Sequence, residues 1–189
     1  MNQENINGMN CKFTERQVKL NNLMRLLWTE HVVWTRFFLI STAFELDDLD
    51  DVTNKLMENP TDFAYALSLF YCNQEAMRFE ELLTEHIAIA GKLVNLLKRG
   101  DTKAADIQRE RWYENADEIA VFLGEINPYW DSKAWQSMLY EHLELTEKEA
   151  VLILTGQYKE GIEQFDAVQD EALKMGDEMA YGIIKQFGV

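Results

Sequence analysis

Apolar side chains recur every three or four residues along nearly the whole chain, and this spacing constrains the fold more than any other feature. Such a period places the apolar side chains on one face of an α-helix. Only two prolines occur in 189 residues, and no segment shows the alternation that is typical of a strand. The sequence therefore predicts an all-α fold in one domain, residues 1–189, with residues 1–13 as a flexible N-terminal segment.

Capping residues and helix breakers divide the chain into helices. Thr14 is suited to cap the first helix, and Gly100 to end a later one. Asn59-Pro60 is expected to separate two short helices, because proline lacks a backbone N–H. Short connections favour antiparallel neighbours, so we expect an up-down bundle of four to five long helices plus two short ones. The predicted long helices lie at about 15–45, 74–99, 102–125, 132–155 and 158–187, and the short ones at about 49–58 and 60–71.

The charge balance excludes several classes of partner. Acidic residues outnumber basic residues by 33 to 18, so the net charge is −15. Such a chain repels phosphate backbones and anionic lipids, and we expect it to bind neither nucleic acid nor membrane. Cys11 and Cys72 form no CxxC pair, and the N-terminus lacks an apolar signal segment. We expect a cytoplasmic protein, and a homodimer is compatible with this composition.

Each of the three histidines directly follows a glutamate, in the segments LWTEH, LLTEH and MLYEH. The pairs lie 55 and 56 residues apart, a spacing that is compatible with a weak internal repeat. Each histidine falls on an apolar helical stripe and is expected to point inward, whereas each glutamate lies about 100° further round its helix. The three pairs are Glu30-His31, Glu85-His86 and Glu141-His142.

Counting residues through the predicted turns places the histidines at one height in the bundle. His86 precedes Gly100 by 14 residues, and folding back through this turn leads to Asn115. The same count from His142 through Gly156 leads to Glu171. One layer is therefore predicted to contain three histidines and several oxygen donors. Its members are His31, His86, His142, Asn115, Asp117, Glu118 and Glu171.

Neutral imidazoles that converge with carboxylates are typical ligands of zinc, iron or manganese. We therefore predict a divalent metal ion at this layer, with the three histidines as nitrogen ligands. Glu171 and one of Asn115, Asp117 and Glu118 would supply the oxygen ligands. Glu30, Glu85 and Glu141 would orient the rings or act as ligands themselves. An open coordination position would permit oxidoreductase chemistry or metal-assisted hydrolysis on an unknown small molecule, and no residue is assigned as catalytic. Positions 28, 83 and 139 lack the glutamate of a di-iron Glu-x-x-His motif, which favours a mononuclear site.

The alternative hypothesis is a non-catalytic bundle that binds a protein partner or a small apolar molecule. The histidines would then form a satisfied polar network in the core. The chain contains no phosphate-binding glycine loop, no GxSxG and no HExxH motif, so nucleotide-dependent transfer and serine hydrolysis have no support. Arg36 lies in an apolar stretch and is expected to need a buried acid in segment 102–125 or 158–187.

Several segments resemble a family of uncharacterised bacterial proteins, mostly from Gram-positive organisms. The resemblance covers about residues 20–187 and rests on LWTEHVVWTRFF, NPTDFA, WYENADEIA, INPYW, MLYEHL and GIIKQF. Some members carry an amino-acid-kinase label, which an all-helical chain without a phosphate loop contradicts. More distantly, the acid-histidine pairs are similar to those of ferritin-like and hemerythrin-like bacterial proteins, several of which bind metal. By analogy, this resemblance implies a ferritin-like or hemerythrin-like bundle.

Overall fold

A computed structural model describes residues 13–189, and this part of the chain forms six α-helices and no strands. Cys11 lies outside the described range. The same holds for the predicted flexible N-terminal segment, of which only Phe13 is described. The five long helices that the sequence predicts are confirmed to within one residue at each end. The helices are α1 (Glu15–Phe44), α2 (Leu49–Ser68), α3 (Asn73–Arg99), α4 (Thr102–Ile126), α5 (Ser132–Leu154) and α6 (Tyr158–Phe187).

The helix ends follow the capping residues of the sequence. The Thr14 hydroxyl accepts a hydrogen bond from the backbone N–H of Gln17, whose side chain accepts one from the Thr14 N–H. Asp101 and Asp131 cap α4 and α5 in the same way, through the N–H groups of the third helical residue. Gly100 ends α3 at a φ of +72°, a left-handed conformation that favours glycine.

The prediction of two short helices separated at Asn59-Pro60 is wrong. Residues 49–68 form one continuous helix, α2, with Pro60 inside it. Proline removes one hydrogen bond, to the carbonyl of Leu56, but the helix is not isolated. Phe63 and Leu67, in the two turns that follow Pro60, are fully buried. The α2 helix packs against α1 and α3. Tertiary packing of this apolar face stabilises the helix through the proline.

The six helices form a closed ring in which each packs against the next and α6 packs against α1. Inside this ring, α1, α3 and α5 also contact one another, whereas α2, α4 and α6 do not contact each other in residues 13–189. The bundle therefore consists of three successive helix pairs, each with one inner and one outer helix. The up-down order and the likeness to ferritin or hemerythrin stay predictions. No helix within residues 13–189 is both long and apolar enough to cross a membrane.

Arg36 is paired with a buried acid, but on a different helix from those predicted. Its guanidinium donates a hydrogen bond to the carboxylate of Glu149 on α5, and another to the backbone oxygen of Gly161 at 3.1 Å. The Glu149 side chain is buried, and this ion pair joins α1 to α5. The expected segments, 102–125 and 158–187, do not supply the acid, because α5 lies beside α1 inside the ring.

Candidate metal centre

The three histidines lie together inside the bundle. His31, His86 and His142 occupy the middle of the inner helices α1, α3 and α5, and at most 3% of each residue is exposed. Their ring centroids are 6.4 Å apart for His31 and His86, 5.7 Å for His31 and His142, and 6.3 Å for His86 and His142. Three separate helices therefore contribute one imidazole each to a common point.

The His31 ring is held by an asparagine of the outer helix that follows it. Nδ1 of His31 lies 3.0 Å from the side-chain oxygen of Asn59. The Asn59 amide nitrogen donates to the backbone oxygen of Leu27, one turn before His31, at 3.0 Å. This second bond fixes the amide with its oxygen toward the ring. Nδ1 of His31 therefore carries the hydrogen and donates a hydrogen bond to the Asn59 oxygen.

The His86 ring is held in the same way by the next helix pair. Nδ1 of His86 lies 2.8 Å from the Asn115 oxygen, and the Asn115 amide donates to the backbone oxygen of Leu82 at 3.1 Å. The indole N–H of Trp112 donates to Nε2 of His86 at 3.1 Å. This bond requires an unprotonated Nε2, which independently agrees with a proton on Nδ1.

His31 and His86 thus share one tautomer, with Nδ1 protonated and the lone pair on Nε2. An acceptor on one ring nitrogen determines which nitrogen remains available as a ligand. Metal-bound histidines in proteins almost always donate their other N–H to such an acceptor. The asparagines of α2 and α4 therefore leave the Nε2 lone pair of two imidazoles without a proton.

The third helix pair differs from the other two at the position of the asparagine. Glu171 of α6 follows His142 by 29 residues, as Asn115 follows His86 by 29 and Asn59 follows His31 by 28. Glu171 is 1% exposed, and its Oε1 has no hydrogen-bond partner in residues 13–189. Nδ1 of His142 is likewise buried without a partner there. The other Glu171 oxygen accepts from Lys174 at 3.2 Å.

Other predicted members of the layer lie elsewhere. Asp117 accepts hydrogen bonds from Gln136 and Tyr140 of α5, at 2.7 and 2.9 Å, and Glu118 is exposed and pairs with Arg78. Neither is brought to the imidazoles. Asp117 lies about 160° round α4 from Asn115 and therefore faces away from the imidazoles. Glu118 lies only about 60° round from Asn115, but nearly one turn further along the helix, where it reaches Arg78 at the surface. The glutamates that precede the histidines also point outward: Glu30 is half-buried, and Glu85 and Glu141 are exposed.

Burial keeps all three imidazoles neutral at physiological pH. It lowers the pKa of His31 from 6.5 to about 4, with the Asn59 hydrogen bond acting in the opposite direction. The pKa of His86 falls to about 3, and that of His142 lies well below its usual value, because burial and the neighbouring histidines disfavour the charged form. Burial also raises the pKa of Glu171, against the effect of Lys174. Neutral imidazole is the form that binds metal ions.

A cavity of about 690 Å³ is lined by the three histidines. It runs along α3 from His86 as far as Arg99, roughly 20 Å at the helical rise of about 1.5 Å per residue. Its wall is mostly apolar, but three of the lining residues carry a polar atom without a hydrogen-bond partner in the described chain: Oε1 of Gln108, Nδ1 of His142 and the Thr146 hydroxyl. A volume of this size accommodates a small organic molecule.

The sequence interpretation missed three residues of this site: Asn59, Trp112 and Thr146. A signal for Asn59 exists, since it follows His31 at nearly the spacing that separates Asn115 from His86. It was obscured because Asn59-Pro60 looks like a helix break. Thr146 lies one turn after His142, as Thr35 lies one turn after His31. The contact of Trp112 with the His86 ring has no signal in the sequence beyond its place on an apolar face.

The three imidazoles are of the chemical type that binds metal ions, but their distances are not those of a metal site. Three rings that bind one zinc ion through Nε2, with bonds of about 2.0 Å, have centroids roughly 5 Å apart. The observed separations are about 1 Å longer, and no set of three His, Cys, Asp or Glu side chains in residues 13–189 stands at ligating distance.

Comparisons of the chain with models of protein families, with curated proteins and with solved structures give no match. The structure itself defines the class of protein: the described chain is an all-helical bundle of three helix pairs, with three buried histidines beside a cavity.

Proposed function

We propose that the protein is a metal-binding helical bundle that holds one divalent ion, Zn²⁺, Fe²⁺ or Mn²⁺, through Nε2 of His31, His86 and His142. The observation that carries the proposal is the repeated asparagine contact. Asn59 and Asn115 each accept Nδ1–H of a buried histidine and thereby leave the Nε2 lone pair free of the proton. The same contact in two helix pairs, beside a third pair with Glu171 at the equivalent position, supports a shared role for the three rings.

Glu171 completes the repeat as the acceptor for the third ring. Its unpartnered Oε1 and the unpartnered Nδ1 of His142 occupy equivalent positions in the third helix pair. A hydrogen bond between them would satisfy two buried polar atoms at once. The carboxylate would also make His142 a stronger donor to the ion than its two amide-bonded counterparts.

Three protein ligands leave a coordination position that faces the cavity. A metal ion at this place would polarise a small molecule bound beside it. The role of the chain itself is to orient the rings, which are buried beside a largely apolar cavity wall. Oxidoreductase chemistry and metal-assisted hydrolysis are the reaction classes that such a centre serves.

One observation favours the second candidate function, a bundle that binds a partner or an apolar molecule without metal. The indole of Trp112 already occupies the Nε2 lone pair of His86. In this view the bond completes a core network. In the metal proposal the ion replaces the indole N–H at Nε2 of His86, and the indole moves away from the ring. Trp112→Phe separates the two views, because it removes the N–H and keeps an aromatic side chain.

A Co²⁺ titration tests the proposal directly. The protein, purified without a histidine tag and treated with a chelator, should bind one Co²⁺ per chain with the absorption bands of a low-symmetry site. Trp112→Phe should tighten binding several-fold, since no hydrogen bond to His86 needs to be broken. If the wild-type protein and Trp112→Phe both fail to bind Co²⁺, the core-network function is the correct one.

The remaining parts of the proposal concern arrangement and setting. We propose an up-down order of the six helices, in a bundle of ferritin-like or hemerythrin-like character. The acidic composition favours a cytoplasmic protein that avoids nucleic acid, alone or as a homodimer.

A further inference from the structure

We propose that the cavity beside the three histidines binds a neutral molecule with an apolar chain and a terminal hydroxyl, which donates a hydrogen bond to Oε1 of Gln108 and accepts one from the hydroxyl of Thr146. The proposal does not depend on the metal centre, because neither contact involves an ion. It rests on the second candidate function, and it names the class of small molecule that this function leaves open.

The first argument is that two polar groups of the cavity wall lack partners. Thr146 on α5 is 5% exposed, and neither its Oγ1 nor Oε1 of Gln108 on α4 has a hydrogen-bond partner in residues 13–189. Nδ1 of His142 is the third such atom of the wall, and Glu171 is its proposed partner. Because a buried polar group without a hydrogen bond is costly, Gln108 and Thr146 favour a ligand that supplies one.

The polar side chains that α1, α2 and α3 contribute to the same wall bond elsewhere. The hydroxyls of Thr35 and Thr53 and the amide nitrogen of Asn95 each donate to the backbone oxygen four residues earlier, at 2.7 to 2.8 Å. Within the part of the chain that the structure describes, the unpartnered buried atoms of the wall therefore belong to α4 and α5. The cavity thus has one polar side.

Gln108 and Thr146 are placed to share one small head group. They immediately precede Arg109 and Glu147, which join α4 to α5 through hydrogen bonds of 2.8 and 2.9 Å from the guanidinium Nε to the carboxylate. A helix rises only about 1.5 Å per residue, so this pairing places Gln108 and Thr146 at nearly the same height in the bundle. Both side chains line the cavity at that height.

These two atoms select a hydroxyl among head groups. Oε1 of Gln108 only accepts hydrogen bonds, so the ligand has to donate one there, whereas the Thr146 hydroxyl can donate one to the ligand. A hydroxyl does both with a single oxygen. An ether only accepts, and it would leave Gln108 without a partner.

The surroundings favour a neutral head group over a charged one. Burial keeps the three histidines of the wall neutral, with the pKa of His31 lowered to about 4. The carboxylate of Glu147 is compensated by Arg109. The other charged residues of the wall are exposed to solvent: Asp50, Lys92 and Arg99. A buried ammonium or carboxylate group would therefore lack a buried counter-charge, which is costly.

The remaining wall suits an alkyl chain. Phe38 of α1, Leu56 of α2 and Leu93 of α3 line the cavity, whose volume is about 690 Å³. Burying a chain there raises affinity about fourfold for each CH₂ group removed from water. The cavity therefore favours a chain of several carbons over a short alcohol such as ethanol.

Calorimetric titration of 1-octanol into chelator-treated protein tests the proposal, with octanoate and methyl heptyl ether, an isomer of 1-octanol, as comparison ligands. Metal content is first shown to be below about 0.1 ion per chain, so that the result is independent of the metal centre. We expect 1-octanol to bind at least about fivefold more tightly than the ether, which cannot donate to Gln108. We expect it to bind at least about tenfold more tightly than octanoate, whose charge would be buried.

Three results would overturn the proposal. Equal affinity for 1-octanol and methyl heptyl ether would do so but would support the second candidate function, because the cavity would still take an apolar molecule. Tighter binding of octanoate, or no binding of 1-octanol, would contradict a neutral hydroxyl ligand. The Co²⁺ titration tests the metal centre separately.

Three variants test the two contacts. Thr146→Val should weaken 1-octanol binding about fivefold, the effect of losing one neutral hydrogen bond, and Gln108→Leu should remove the preference for 1-octanol over its ether isomer. Thr35→Val is the control, because this hydroxyl lines the same cavity but is bonded within its own helix, and it should change the affinity no more than about twofold. Equal 1-octanol affinities for Thr146→Val and Thr35→Val, or an unchanged preference in Gln108→Leu, would show that the head group does not make these contacts.

Discussion

The side-chain oxygen of Asn115 accepts the Nδ1–H of His86 at 2.8 Å, across the 29 residues that separate an inner helix from the next outer one. Asn59 and His31 repeat this contact over 28 residues at 3.0 Å. Two helix pairs thus fix a buried imidazole in the same tautomer. The metal proposal follows from this repetition, and the predictions below test its separate parts.

Asn115→Ala should lower zinc affinity about 10- to 100-fold, because the His86 ring loses the acceptor that orients it. Competition with a coloured chelator measures this affinity. Asn21→Ala is the control, since that amide donates to Asp177 of α6, about 15 Å along α1 from His31. An Asn115→Ala protein that binds zinc as tightly as the Asn21→Ala protein would argue against orientation of His86 by Asn115.

Glu171→Leu should weaken zinc binding at least about tenfold, whereas Glu171→Gln should retain most of it, because glutamine still offers an oxygen to Nδ1–H of His142. Lys174→Met removes the exposed partner of Glu171 but not the carboxylate, and it should leave zinc affinity nearly unchanged. The same chelator competition compares all three variants. Equal zinc affinity for Glu171→Leu and Lys174→Met would exclude a role for Glu171 at the third ring.

The metal-free protein should lose stability as the pH falls from about 6.5 to about 4. Burial lowers the pKa of His31 to about 4, so the unfolded chain takes up a proton in this range that the folded chain does not. Linkage gives a loss of about 2 kcal/mol in the free energy of unfolding at pH 5 for a ring of this kind. Urea unfolding at pH 7.5 and pH 5 measures it.

The control for this pH effect is His31→Gln, which cannot titrate. Its free energy of unfolding should fall less than that of the wild-type protein between the same two pH values. Parallel losses in the two proteins would mean that His31 is not held neutral by burial.

Arg36→Met should destabilise the fold by about 3 to 5 kcal/mol, because it leaves the buried Glu149 without its guanidinium partner. The loss should grow as pH rises, since burial already raises the pKa of Glu149 to about 7 and the unfolded carboxyl ionises more readily. Arg36→Met/Glu149→Met should be markedly more stable than Arg36→Met alone. Chemical denaturation of both proteins provides the comparison, and additive losses would contradict a coupled pair.

Much of the fold was accessible from the sequence because helix ends depend on local chemistry. Thr14, Asp101 and Asp131 cap their helices through bonds to residues three positions away, so these ends are predictable to within one residue. Pro60 was misjudged because its effect depends on tertiary packing of α2, which local sequence does not contain.

The candidate site was predictable in height but not in rotation. Counting residues along helices locates His31, His86, His142 and Asn115 at one level, since each residue adds only about 1.5 Å. Each residue also turns the helix by about 100°, so Asp117 lies on the opposite side of α4 from Asn115. Glu118 lies nearly one turn further along α4 and reaches Arg78 at the surface. The partner of Arg36 depends on which helices pack against α1. The spacing of residues along the sequence does not contain this information.

The most direct test of the metal proposal is elemental analysis of protein purified without a tag from cells grown with zinc, iron and manganese. The wild-type protein should carry close to one divalent ion per chain, and a variant with His31, His86 and His142 all replaced by alanine should carry less than about 0.1 while remaining helical. Less than about 0.1 ion per wild-type chain, or equal contents in the two proteins, would contradict it.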